Sequence, residues 1–306
     1  MALALMAAPA AHAQTRVDWP ADCQLAQVAQ VPMSLNTGHV VIPASANGND
    51  LTMGIDTGGY GSSLTDAGIA RLGLMGSDVA RFGAVIHGIG GLRISAGSVL
   101  VDKLRIGDLE LDRVSLPELM AFPGADGLIG PDILSKYDVE LDFGGKIFRL
   151  FKTHPCADHA VTWTNSYAVL PFTFTQNGHV RVRVTLDGQD AGAILDTGAP
   201  ISVLSTLDAS SMFRLNGNSA GVEAVNPVSG PAWGKDRPVK AYATTFKTLT
   251  IGGVTIQGPR MELIEGRNFL GHDFARLVLG NDVLSHFHLY IAYRQQKLYL
   301  TDADAH

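Results

Sequence analysis

The sequence is poor in what several common functions need. Its 306 residues hold only two cysteines, Cys23 and Cys156, too few and too far apart for a cysteine-ligated metal centre. Lysine and arginine (23) are outnumbered by acids (29) and nowhere form a basic run, so there is no electrostatic footprint for nucleic acid. After the first residues no stretch is apolar enough to span a bilayer, and a soluble mature chain is expected. No Gly-x-Ser-x-Gly elbow marks a serine hydrolase, and Gly88-Ile89-Gly90-Gly91 lacks the Lys-Ser/Thr ending and following helix of a phosphate loop. His286 and His288 share one strand face, and His154 and His159 flank Cys156, yet neither pair has a third ligand at metal spacing. No metal and no cofactor is expected.

What is present begins with an apolar start. Met1 to Ala13 reads MALALMAAPAAHA, too short for a span and ending in the small-x-small site Ala11-His12-Ala13, though without a positively charged beginning. It reads as a signal peptide over 1–13, which places the protein in the periplasm or outside a bacterial cell; the alternative is an alanine-rich tail. In an exported chain Cys23 and Cys156 are candidates for a single disulfide, the alternative being two separate thiols. Hydrophobic residues make up 46% of the chain, ample for a large core, and 34 glycines suit a turn-rich β protein.

The chain repeats itself. Gly38-His39-Val40 recurs as Gly178-His179-Val180, Asn47-Gly48 is matched by Asp187-Gly188, and Ile55-Asp56-Thr57-Gly58 by Leu195-Asp196-Thr197-Gly198, all offset by 140 residues. Leu104-Arg105-Ile106-Gly107 pairs with Leu249-Thr250-Ile251-Gly252 at an offset of 145, and Gly130-Pro131-Asp132 with Gly280-Asn281-Asp282 at 150. Ordered matches with a slowly growing offset mean a duplication with insertions in the second copy. Each copy reads mainly as strands. Val180, Val182, Val184 and Leu186 alternate with polar residues before a two-residue hairpin at Asp187-Gly188, and Pro43 pushes its strand toward a sheet edge. Thr65 and Ser205 are candidate caps of short helices, the first stopped at Gly73. His39 and His179, repeat partners, read as strand-surface residues. This divides the chain into lobes 25–150 and 169–303 with a linker over 151–168.

A strand ending in Asp-Thr-Gly presents a carboxylate on a tight turn. The glycine lets backbone N–H groups approach it, and the threonine hydroxyl can brace the opposite loop. Two such turns related by a pseudo-two-fold axis bring Asp56 and Asp196 together. Carboxyls that close cannot both ionise cheaply and share a proton; the ionised one can activate water while the neutral one donates to a carbonyl.

With Asp56-Thr57-Gly58 and Asp196-Thr197-Gly198-Ala199, each followed downstream by an apolar-apolar-Gly element (Leu128-Ile129-Gly130 and Val278-Leu279-Gly280), the chain resembles the aspartic-peptidase superfamily. The likeness is to bacterial retropepsin-like proteins with two peptidase-like halves in one chain, and it covers about Val31 to Leu300. It implies an all-β fold with short helices: a bilobal acid-protease architecture of two pseudo-symmetric, β-barrel-like lobes with the active site between them. It implies catalysis by Asp56 and Asp196, support from Thr57, Gly58, Thr197 and Gly198, and a downstream element crossing behind each Asp loop. A glycine-rich flap at His87 to Gly91, with Gly88, Ile89, Gly90 and Gly91 against substrate, also follows, with Val225 to Gly230 the poorer counterpart. The implied activity is aspartic endopeptidase on a peptide or protein substrate, as a monomer; the competing reading is a peptide-binding module that keeps the fold without turnover. One departure stands out: the first triplet continues Gly59-Tyr60-Gly61 where that family has Ala, Ser or Thr.

Overall fold

The computed structural model describes residues 5–7, 25–74, 79–87, 93–119, 121–153, 161–164, 166–175, 178–230, 234–265 and 275–304. Nearly all regular structure is strand, arranged in a sixteen-stranded and an eight-stranded sheet, with short helices between. Cys23, Cys156, Gly88, Ile89, Gly90 and Gly91 lie outside the described residues.

The hairpin signals act as turn chemistry requires. Asn47 and Gly48 have φ of 50° and 82°, and Asp187 and Gly188 46° and 77°, the paired left-handed values that match strand twist. They join His39–Ala46 to Asn49–Ile55 and Val180–Leu186 to Gln189–Leu195. Pro43 sits where its strand lacks a neighbour on one side. Ser34–Asn36 covers that edge up to Val41 and Arg93–Ile106 resumes at Ser45, so the missing N–H falls in the gap. Helix α1 (Asp66–Arg71) is capped by Thr65, whose hydroxyl accepts from Gly68 N–H. Two one-turn helices follow the apolar-apolar-Gly elements: α2 (Pro131–Leu134) and α4 (Asn281–Leu284). Between them in sequence, α3 (Thr206–Phe213) is capped by Ser205 onto Asp208.

In each half the strand that ends at the Asp lies parallel to the downstream element: Ile55 opposite Ile129, and Leu195 opposite Leu279. That element pairs antiparallel with the strand after the triplet, Ser63–Thr65 or Val203–Ser205. The first half closes on itself as a barrel, because His39–Ala46 pairs with both Asn49–Ile55 and Arg93–Ile106. The halves meet in an antiparallel run of six strands: Gln27–Pro32, Ile147–Lys152, Tyr137–Asp142, Phe287–Ala292, Lys297–Asp302 and Ala168–Phe174. At its centre Val139 faces Ile291 and Leu141 faces Leu289, all buried. Phe151 and Lys152 therefore belong to a strand, as does Ala168, so the connection between the halves is shorter at both ends than the composition suggested.

Two hairpins end their sheets. Val79–His87 pairs with Arg93–Ile106, ending at His87 opposite Arg93, and Val222–Gly230 pairs with Gly234–Thr245. The N-terminal residues Leu5–Ala7 lie as a strand beside Val254–Ile256. No helix among the described residues is long and apolar enough to cross a membrane.

Candidate active site

Asp56 and Asp196 meet between the halves. Each leaves its strand with its backbone N–H bonded to the element behind it, Asp56 to Ile129 O and Asp196 to Leu279 O, both at 3.0 Å. Each carboxyl then accepts from its own turn: Gly58 N–H to Asp56 Oδ1 at 3.2 Å, Gly198 N–H to Asp196 Oδ1 at 2.8 Å. Glycine is required because the loops cross. A Cβ on Gly58 would stand 2.3 Å from Asp196 Cγ, and one on Gly198 2.4 Å from Asp56 Cγ.

The threonines lock the crossing. Thr57 Oγ1 donates to Leu195 O (2.8 Å) and accepts from Thr197 N–H (3.1 Å); Thr197 Oγ1 donates to Ile55 O (2.6 Å) and accepts from Thr57 N–H (3.1 Å). Both are 1% exposed, so all four bonds are shielded from water.

Asp196 is buried and Asp56 only partly so. Burial, then the charge of Asp56 and a hydrogen bond with it, push the Asp196 carboxyl well above the usual carboxylate range. Burial also raises Asp56, against hydrogen bonds from Asp196, Gly58 and Gly59 that favour its ionised form. The two titrate as one unit and share a proton.

A second layer supports each loop identically. Ser62 N–H and Oγ–H both donate to Asp132 Oδ1 (2.6 and 2.8 Å), and Ser62 Oγ accepts from Gly130 N–H (2.9 Å). Ser202 does the same with Asp282 Oδ1 (2.9 and 2.6 Å) and Gly280 N–H (3.0 Å). The downstream glycines permit this close fit: a Cβ on Gly130 would be 2.4 Å from Gly61 C, and one on Gly280 2.6 Å from Ile201 C. Asp132 and Asp282 stand at aligned repeat positions in the sequence; their partners Ser62 and Ser202 carry no signal of their own beyond the same repeat offset of 140 residues.

The histidines are a correction. His39 and His179 are 8% and 6% exposed rather than on a strand surface. His39 Nδ1 lies 2.8 Å from Gly198 O of the other half, its ring set edgewise to Phe122 at 4.5 Å. His179 meets Tyr60, beside Asp56, with ring centroids 5.3 Å apart. Strand alternation cannot foresee burial against a loop from the opposite half.

Away from the carboxyl pair, Glu140, Asp142 and His288 bring potential metal-ligating atoms within 4.8 Å of one another on the interlobe sheet. His288 Nε2 is 2.8 Å from Glu140 Oε1, Trp163 stacks on its ring at 3.6 Å, and Arg149 pairs with Glu140 and, at 3.9 Å, with Asp142. Arg149 sets one positive charge against the two carboxylates in an ion-pair network, and His288 here has carboxylate neighbours that the sequence pattern did not show. His154 and His159 lie outside the described residues.

Two family models match the chain, one in each half. That described as "Aspartyl protease" covers residues 182–283, and that described as "gag-polyprotein putative aspartyl protease" covers 42–136. Among solved structures, an aspartic proteinase from Irpex lacteus aligns with a TM-score of 0.51 at 13% identity, over 90% of this chain and 98% of its own. Basic 7S globulin from soybean aligns with a TM-score of 0.50 at 12% identity, over 92% and 96%. No curated protein matches. At such identities the structural likeness speaks for the fold: the bilobal acid-protease architecture.

Proposed function

Because the chain belongs to the aspartic-peptidase superfamily, with one peptidase-like domain in each half, we propose that it is an aspartic endopeptidase whose catalytic pair is Asp56 and Asp196. A protease-like role follows from family and fold; the finer reading rests on the carboxyl pair. The observation that carries it is the pairing itself: a buried and a half-buried carboxyl, mutually hydrogen-bonded and cross-braced by Thr57 and Thr197.

Asp56, the more exposed of the two, acts ionised and takes a proton from a water molecule as that water attacks the scissile carbonyl. Asp196, neutral, donates its proton to the carbonyl oxygen. As the tetrahedral gem-diol collapses, Asp56 passes its proton to the leaving amine and a gem-diol hydroxyl returns one to Asp196, which restores the pair. No covalent enzyme intermediate is needed. Since both carboxyls come from one chain, a monomer suffices. The substrate is an extended peptide lying between the halves beneath the Val79–His87 and Arg93–Ile106 hairpin.

Cleavage of a peptide library across pH by wild type, Asp56→Asn and Asp196→Asn tests this. Activity in the wild type and its loss in both variants is expected; an Asn variant that cleaves normally, or a wild type inactive at every pH, sinks it. We further propose export through the leader Met1–Ala13, which sequencing the mature N-terminus after expression with the leader would check. Its removal would free the strand edge at Val254–Ile256 that Leu5–Ala7 now pairs with.

A further inference from the structure

The two halves hold their carboxyls differently. The loop after Asp196 is gripped from behind by four donors. Asn281 N–H reaches Ala199 O at 2.9 Å and Asp282 N–H reaches Pro200 O at 3.2 Å. Asn281 Nδ2 donates to Thr197 O at 2.8 Å, and His39 Nδ1 lies 2.8 Å from Gly198 O. A carbonyl oxygen only accepts, so His39 carries its proton on Nδ1. In the first half the counterpart of Asn281 is Pro131, which has neither a backbone N–H nor a side-chain donor. The counterpart of His39 is His179, set against the ring of Tyr60.

Two of these four bonds continue through a peptide group to the carboxyl. Thr197 C=O and Gly198 N–H belong to one peptide: Asn281 donates to its oxygen, and its N–H donates to Asp196 Oδ1. Gly198 C=O and Ala199 N–H belong to the next: His39 donates to its oxygen, and its N–H, bonded to Asp196 main-chain O at 3.2 Å, also faces the Asp196 carboxyl. A donor on a peptide oxygen polarises the group and makes its N–H a stronger donor, an effect that grows in a buried, low-dielectric setting.

Resting on the catalytic-pair reading above, we propose that His39 and Asn281 are positioning residues that stabilise ionised Asp196 through these two peptides, and so set the pH at which the pair loses its last proton. Asp56 is the charged group acting on Asp196 directly. Around the loop stand His39, kept neutral by burial, Asp282 of α4, tied to Ser202, and Glu262 on the next strand, the last two both raised by burial. On the first-half side stand Asp132, tied to Ser62, and His179 beside Tyr60. Donors to the ionised form lower proton affinity, so removing them raises it and moves the alkaline limb of activity to higher pH.

His39→Phe keeps a ring against Phe122 and removes the donor, whereas His39→Asn returns an N–H near the Nδ1 position. Asn281→Leu removes the other donor, together with its bond to Gly38 O at 2.8 Å beside His39. The readouts are carboxyl 13C NMR titration of Asp-labelled protein and the pH profile of peptide cleavage. In His39→Phe and Asn281→Leu the upper apparent pKa and the alkaline limb are expected to rise together by ~0.5–1 pH unit, and to return toward wild type in His39→Asn. A folded His39→Phe or Asn281→Leu whose upper carboxyl titration stays at the wild-type value overturns the proposal, whatever happens to the rate. If the titration moves but Asp56→Asn or Asp196→Asn still cleaves, the positioning role stands and the catalytic reading falls. Should His39→Phe not fold, Asn281→Leu decides alone.

Discussion

Asp138, on the interlobe sheet, offers a stability test whose size can be worked out. It is 1% exposed and accepts from Tyr290 Oη at 3.3 Å. Burial pushes its carboxyl from 3.8 up to about 6, with hydrogen bonds from Tyr290 and from backbone at Tyr293 pulling only part of the way back. Between those values the folded chain binds more protons at this group than the unfolded chain does. Stability is therefore greatest below the unfolded value, falls as pH rises, and has lost its full share above about pH 6. At about 1.4 kcal/mol per pH unit the loss is about 3 kcal/mol. Asp138→Asn removes the charge while keeping an oxygen to accept from Tyr290. Urea unfolding should find the variant about 2–3 kcal/mol more stable than wild type at pH 7.5, and close to it at pH 4. A variant no more stable at pH 7.5, or a difference that does not change with pH, refutes the reasoning.

Three further outcomes are expected. Thr197→Val removes a donor to Ile55 O and an acceptor for Thr57 N–H, both buried, and should lower the free energy of unfolding by about 2–4 kcal/mol; Thr57→Val should match it, and the double variant should lose less than the sum because the two hydroxyls share one cross-brace. Gly198→Ala sets a Cβ 2.4 Å from Asp56 Cγ, so kcat/KM should fall at least ~100-fold in steady-state peptide cleavage. Gly59→Ala sets one 2.6 Å from Asp56 Oδ2, and kcat should fall by roughly tenfold or more although the second half carries Ala199 at that place; an unchanged kcat would show that the first loop tolerates the methyl group.

The parts of the fold that were legible in the sequence are those set by local chemistry. The Asp187-Gly188 hairpin, the Thr65 and Ser205 caps and the alternating strand at Val180–Leu186 each declare themselves within a few residues. The Asp-Thr-Gly triplets were legible because duplication places two copies in one frame. What stayed hidden depends on contacts between distant segments. His39 and Gly198 are 159 residues apart, Ser202 and Asp282 80, and no local pattern ties either pair. Likewise His288 gained its carboxylate neighbours only because Tyr137–Asp142 of the first half pairs with Phe287–Ala292 of the second.

The loop after Asp56, the weaker match in sequence, has its own logic once the halves are compared. Ala199 is drawn toward Asn281 by a backbone hydrogen bond, an anchor that Pro131 cannot give to Gly59. Without that pull from behind, N–H groups reach Asp56 only if the backbone itself comes close, and glycine alone permits such an approach. Gly58 and Gly59 both donate toward the Asp56 carboxyl, with the Gly59 backbone so near that no side chain fits. Gly61, in turn, lies against Gly130 of the element behind. The two substitutions, proline for the anchoring asparagine and glycine for the alanine, thus form one coherent alternative. The second half presents N–H groups to its carboxyl by anchoring the loop; the first does so by close approach. Duplicated halves can in this way leave two chemically identical carboxyls unequal, which is the condition for one to act as base while the other acts as acid.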